Sequence, residues 1–200
     1  MRQMRLVLGL LLAALVLSAD AIVIDFESLS DSTPVTNQFP GLVFNDATVI
    51  TAGVSLNEFE FPPHSGTNVV FDDSGPISIV FSFAQPVVSF GGFFTYQSPL
   101  TLEAFDNTSS QVGAVTSRFS SNLALSGDAG STPNEFLQVA FAGGLSRVTI
   151  TGDPAGSSFV LDDVTAETPA SAVPEPSAFV LVLTIGAVLF CGRVRILRQP

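Results

Sequence analysis

Apolar and polar residues alternate with a period of two through the middle of this chain. Pro76 to Phe83 reads PISIVFSF and sets Ile77, Ile79, Phe81 and Phe83 on one face, the pattern of a strand with one buried side. Ile22–Phe26, Val87–Tyr96, Thr101–Phe105, Phe136–Phe141, Leu145–Thr151 and Phe159–Val164 are predicted strands, with Leu42–Phe44 and Val69–Phe71 as shorter ones. Gly, Pro, Asn, Asp and Ser fill the gaps, as in Asp106-Asn107, Gly127-Asp128 and Gly152-Asp153-Pro154. No stretch between Ile22 and Pro169 has apolar residues at helical spacing with caps. Many short strands about ten residues apart predict an all-β fold, an antiparallel β-sandwich or jelly roll over residues 22–167. The Gly91-Gly92 pair inside Val87–Tyr96 predicts a bulge or the close approach of a neighbour. The chain has 18 phenylalanines, which are read as filling between two sheets.

Both ends break this pattern. Met1–Arg5 carries Arg2 and Arg5, Leu6–Leu17 is an unbroken apolar run, and Ser18-Ala19-Asp20-Ala21 follows. Small residues at Ala19 and Ala21 fit a signal peptide over residues 1–21, removed by signal peptidase before Ile22. Residues 178–192 read AFVLVLTIGAVLFCG without a charge, and Arg193, Arg195 and Arg198 come next. At about 1.5 Å per residue such a helix covers roughly 22 Å, and snorkelling arginines can absorb the shortfall against a bilayer. A single C-terminal transmembrane helix is therefore expected, with its arginines in the cytoplasm and the strand-rich part outside. Residues 168–173, rich in small residues and proline, are expected to form an extended linker.

Charge narrows the choice of partners. Residues 22–173 hold sixteen acidic side chains against two basic ones, Arg118 and Arg147, and the chain has no lysine. Such a domain repels nucleic-acid phosphates and anionic lipid surfaces. The only cysteine, Cys191, lies in the apolar tail, so the strand-rich part folds without a disulfide.

Val173-Pro174-Glu175-Pro176, a short apolar helix and an arginine cluster, in that order at the C-terminus, resemble the PEP-CTERM sorting signal. The resemblance covers residues 174–200 and implies recognition by an exosortase in a Gram-negative bacterium that makes extracellular polysaccharide. It implies cleavage near Pro174-Glu175-Pro176. The protein would then sit in the inner membrane before processing, and at the cell surface or in the extracellular matrix afterwards.

Ile24-Asp25-Phe26-Glu27, His64-Ser65-Gly66-Thr67-Asn68 and Val160-Leu161-Asp162-Asp163-Val164 resemble segments of carbohydrate-binding jelly rolls. That resemblance implies that the first and last strands lie side by side, often with a structural calcium between them. Calcium takes six to eight hard oxygens. Asp25, Glu27, Asp162 and Asp163 would supply carboxylates, and Asn68 or a nearby carbonyl could complete the shell. The alternative is that strand alternation turns these acids to solvent. Asp72-Asp73, ahead of Ser74-Gly75-Pro76, is a rival pair that suits a turn.

Catalysis has little to build on. His64 is the only histidine, and neither a nucleophile elbow, a zinc-protease motif nor a phosphate loop occurs. A two-carboxylate glycosidase is the remaining enzymatic reading. With no Trp and a single Tyr, Tyr96, strong stacking on sugar rings is not expected. The leading expectation is a non-catalytic surface or matrix protein associated with exopolysaccharide or biofilm. The alternative is a carbohydrate-binding module with structural calcium.

Overall fold

The structure, a computed structural model, describes residues 17–18, 21–169 and 171–172. The apolar run from Leu6 as far as Val16, the motif Val173–Pro176, the expected membrane helix and Arg193, Arg195 and Arg198 lie outside the described residues. Two units are distinguished, and residues Ala19–Pro169 form the larger one. In the smaller unit β1 (Leu17–Ser18) pairs antiparallel with β14 (Ser171–Ala172).

The larger unit is an antiparallel β-sandwich. Its five-stranded sheet runs in the order β10 (Gln111–Thr116), β9 (Thr101–Phe105), β12 (Arg147–Thr151), β7 (Ile77–Phe81), β4 (Leu42–Asn45). The seven-stranded sheet runs β11 (Glu135–Leu145), β8 (Val87–Tyr96), β13 (Phe159–Glu167), β6 (Asn68–Asp72), β5 (Ala47–Thr51), β3 (Pro34–Val35), and β2 (Ala21–Ile24) lies beside the second half of β13. Register partners Val164–Ile24 and Glu167–Ala21 set the first and last strands of this unit side by side.

Alternation decides which side chains fill the space between the sheets. Ile77 and Ile79 of β7, Leu102 and Ala104 of β9, and Val148 and Ile150 of β12 point inward from one sheet. Phe90, Phe94 and Tyr96 of β8 and Phe159, Leu161, Val164 and Ala166 of β13 meet them from the other. Phe26, Phe39 and Phe44 pack edge to face with centroids 5.6–6.3 Å apart, a geometry that aligns ring edges with ring faces. A second, smaller cluster of Leu56, Val69 and Val160 lies on the other side of the seven-stranded sheet, beneath the chain that follows β5.

Three strands of the larger unit escaped the hydrophobic pattern. β3 is two residues long, and β10 is an exposed edge strand with no buried row. β5 divides its apolar residues between two faces, buried Ala47 and Val49 on one and half-buried Ile50 on the other, too few on either to stand out. The Gly91-Gly92 pair does mark a close approach: a Cβ on Gly92 would lie 2.6 Å from Leu161 Cδ1. The register shift beside it belongs to the neighbour β13, between Asp162 and Thr165.

The Phe44 ring is buried in the aromatic trio, whereas Val43 next to it is 37% exposed. Phe44→Ala should lower the unfolding free energy by about 3–5 kcal/mol and Val43→Ala by well under 1 kcal/mol, measured by urea denaturation. Equal effects would place Phe44 outside the core.

Candidate functional site

The three short motifs meet at one point on the seven-stranded sheet. Between Asp162 and Thr165, β13 carries one residue more than its partner β8, a bulge at which Asp163 takes a positive φ of 45°. The bulge separates the half of β13 that pairs with β6 from the half that pairs with β2. The chain leaving β2 turns at Phe26, also at positive φ, and the chain entering β6 arrives through His64–Thr67.

Hydrogen bonds knit these pieces together. The buried Asp162 accepts from the backbone N–H groups of His64 and Ser65 at 2.8 and 2.9 Å through Oδ2, and from that of Asp163 at 2.7 Å through Oδ1. Asp163 accepts from Ser65 Oγ at 2.9 Å, and its other oxygen lies 2.6 Å from His64 Nδ1. Glu27 accepts from the N–H groups of Thr67 and Asn68 at 2.9 and 2.7 Å. Asn68 donates to the carbonyls of Phe26 and Leu29 and accepts from Thr51 Oγ1. Gly66, with φ of 54°, is forced here twice: the backbone is left-handed, and a Cβ would lie 2.3 Å from the Glu27 carboxyl carbon.

This arrangement turns the acids toward N–H and O–H donors. Of the expected calcium ligands, Glu27, Asn68, Asp162 and Asp163 are gathered around the bulge. The exposed Asp25 only receives the Glu27 N–H, at 3.2 Å. Among the described residues no group of three or more His, Cys, Asp or Glu side chains is placed to hold a metal ion. The donors already facing these carboxylates would repel a cation, so the residues as placed do not fit a calcium shell. The rival pair divides: Asp73 is exposed, while buried Asp72 accepts from Ser158 N, Ser158 Oγ and Phe159 N and so anchors the loop ahead of β13.

Ser65, His64 and Asp163 are the residue types of a hydrolytic triad in the wrong order. The carboxylate sits between the hydroxyl and the imidazole, so the serine proton points at Asp163 and not at a histidine base. The His64 ring instead stacks on Phe93, with centroids 3.4 Å apart and planes 9° from parallel. Phe93 in turn touches Phe136 of β11 at 5.1 Å. Tyr96, the only tyrosine, is in the core, where burial and its hydrogen bond to Glu135 push the phenol up to about 12. Phe136, 45% exposed beside this site, carried no signal in the one-dimensional pattern.

No family model matches this chain, and no curated relative matches it. Solved structures do. The K2 cleaved adhesin domain of Lys-gingipain aligns at 13% identity and TM-score 0.46 over 74% of this chain and 99% of its own. A DUF4465 family protein from Bacteroides caccae aligns at 13% and 0.46 over 74% and 98%. A mutant family 29 carbohydrate-binding module complexed with cellulohexaose aligns at 12% and 0.41 over 76% and 92%. At identities of this size no residue role passes from those proteins to this one.

Burial pushes the Asp162 carboxyl up to about 6, the neighbouring Asp163 charge adds to the rise, and the N–H donors pull against it. Burial also raises Asp72. The folded state therefore holds the Asp162 proton more tightly than the unfolded chain does, and stability should fall as pH rises from about 4 to about 6. Asp162→Asn should lower stability at pH 5 and flatten that slope, read from unfolding midpoints between pH 4 and 7. An unchanged slope would move its cause away from Asp162. From the donor geometry, the thermal midpoint should also be the same in EDTA and in millimolar calcium. A calcium-specific rise that is lost in Glu27→Gln would place the cation here.

Proposed function

We propose that this chain is a non-catalytic, exported surface or extracellular-matrix protein. It reaches the surface as the substrate of an exosortase-type sorting system and is associated there with exopolysaccharide or biofilm. The observation that carries this reading is the pairing of the first strand with the last, in which Ile22 stands beside Ala166. The sandwich begins and ends at one register position, so the expected leader and the expected stalk and sorting tail join it at the same edge. The polar groups also favour a binding or structural role. Asp72, Asp162, Asn68 and Asn122 are buried and bonded to backbone, an arrangement that holds loops and leaves no acid–base pair aimed at a substrate.

In this reading signal peptidase removes residues 1–21, and the apolar segment with Arg193, Arg195 and Arg198 holds the protein in the inner membrane until cleavage. A second reading, a carbohydrate-binding module, draws on a specific feature, the exposed aromatic and amide side chains on the outside of β8 and β11.

In a host with an exosortase, mass spectrometry of the surface-exposed protein should find no peptide from Phe179 onward. Glu175→Ala should leave the full-length form in the membrane. A surface-exposed protein with its C-terminus intact would refute the sorting reading.

A further inference from the structure

The outward face of the seven-stranded sheet is built unevenly. Where β6 and the first half of β13 lie, the Leu56–Val69–Val160 cluster covers it. Over β11 the outward residues Phe136, Gln138 and Ala140 are exposed. Cross-strand register sets Phe136 beside Phe93, Gln138 beside Gly91, and Gly91 beside Thr165. Register partners share a face, so these side chains form one surface, opposite to the one that carries Phe90 and Phe94 into the core.

This surface has a shape. At one end His64, Phe93 and Phe136 make a continuous aromatic step, with Phe136 45% exposed. In the middle Gly91 has no side chain, and the Phe136 ring lies over it, 2.9 Å from where a Cβ would stand. At the other end a groove of about 510 Å³ opens between Gln138, Phe141 and Glu167. The distance along β8 from Phe93 to Ser89 is four residues, about 13 Å at strand rise. The Gln138 amide is held in place by its hydrogen bond to Ser89 Oγ at 2.7 Å, which leaves its carbonyl oxygen free to accept.

We propose that this face binds a neutral glycan chain. Aromatic rings offer the apolar C–H faces of a sugar a surface to lie on, and a fixed amide and a carboxylate beyond them match ring hydroxyls. Charge chooses neutral over anionic polymers: the carboxyl groups of Asp163 and Glu167 border the face, within a chain of net charge −11. A uronate or sulfated polymer would be repelled. A protein partner would need a broader apolar area than one aromatic step flanked by an amide and a carboxylate. This inference rests on the reading of the chain as a non-catalytic surface domain. It fails independently of the sorting reading, because glycan binding and tail removal are measured separately.

The test is affinity electrophoresis of the purified full chain, with the segment 21–169 run in parallel, through gels containing soluble β-glucan, galactomannan or xyloglucan, and alginate as the anionic arm. The acidic protein migrates to the anode, and binding appears as retardation. Retardation in at least one neutral gel and none in alginate is expected. Phe136→Ala and Gln138→Ala should each weaken it roughly tenfold or more, as for central contacts of a binding face. Both side chains are exposed, so the thermal midpoint of each variant should stay at the parent value, and Val80→Ala on the other sheet should bind like the parent. No retardation in any neutral gel, retardation that survives both substitutions, or stronger retardation in alginate would overturn the proposal. So would self-association without glycan that disappears in Phe136→Ala, which would give the face to a second copy of the chain.

Discussion

Burying the Asp162 carboxylate is tolerable only because backbone N–H groups meet it, and much of the domain's loop structure follows from that requirement. An ionised group taken out of water without partners is strongly unfavourable. Here three N–H donors from two separate pieces of chain point at it. Their geometry holds only if the bulge in β13 and the His64–Ser65 turn are in register with each other. The same device recurs. Asp72 gathers the Ser158–Phe159 backbone, Asn68 spans the Phe26–Leu29 turn, and Asn122 joins the Phe94 and Tyr96 backbone to Thr132. A domain without a disulfide ties down its long connections with buried side-chain acceptors and donors in place of covalent bonds.

The same bonds explain how so acidic a domain holds together. Glu27, Asp162 and Asp163 crowd one region, yet each carboxylate faces N–H or O–H groups. Partial positive charge from the backbone takes the place that a cation would otherwise fill. His64 belongs to this network as well. Its backbone serves Asp162, its Nδ1 serves Asp163, and its ring lies flat on Phe93. One residue thus links the electrostatic knot to the aromatic step on the outer face. Anything that loosens the knot shifts a surface ring.

Much of the fold was legible in the sequence. Ile77–Ile79, Leu102–Ala104 and Val148–Ile150 display period two plainly, and each lines the core. The adjacency of the first and last strands, implied by the motif resemblance, is present as the pairing of β2 with β13. β10 was silent because an edge strand with both faces partly wet needs no alternation. β5 was silent because its few apolar residues divide between two faces, Ala47 and Val49 toward one cluster and Ile50 toward the other. Asp25 and Asp162 looked alike as acids near strand ends, but one is exposed and the other buried.

Local chemistry alone determined the strand-forming character, the acidic surface, the absence of a disulfide and the places where the chain turns. These follow from side-chain volume, charge and backbone freedom, properties that each residue carries with it. The partners of each acid, the core position of Tyr96 and the outward row of Phe93, Phe136 and Gln138 were decided only by the tertiary structure. Register between strands distant in sequence sets them, and one extra residue in β13 changes which side chains stand on the same face.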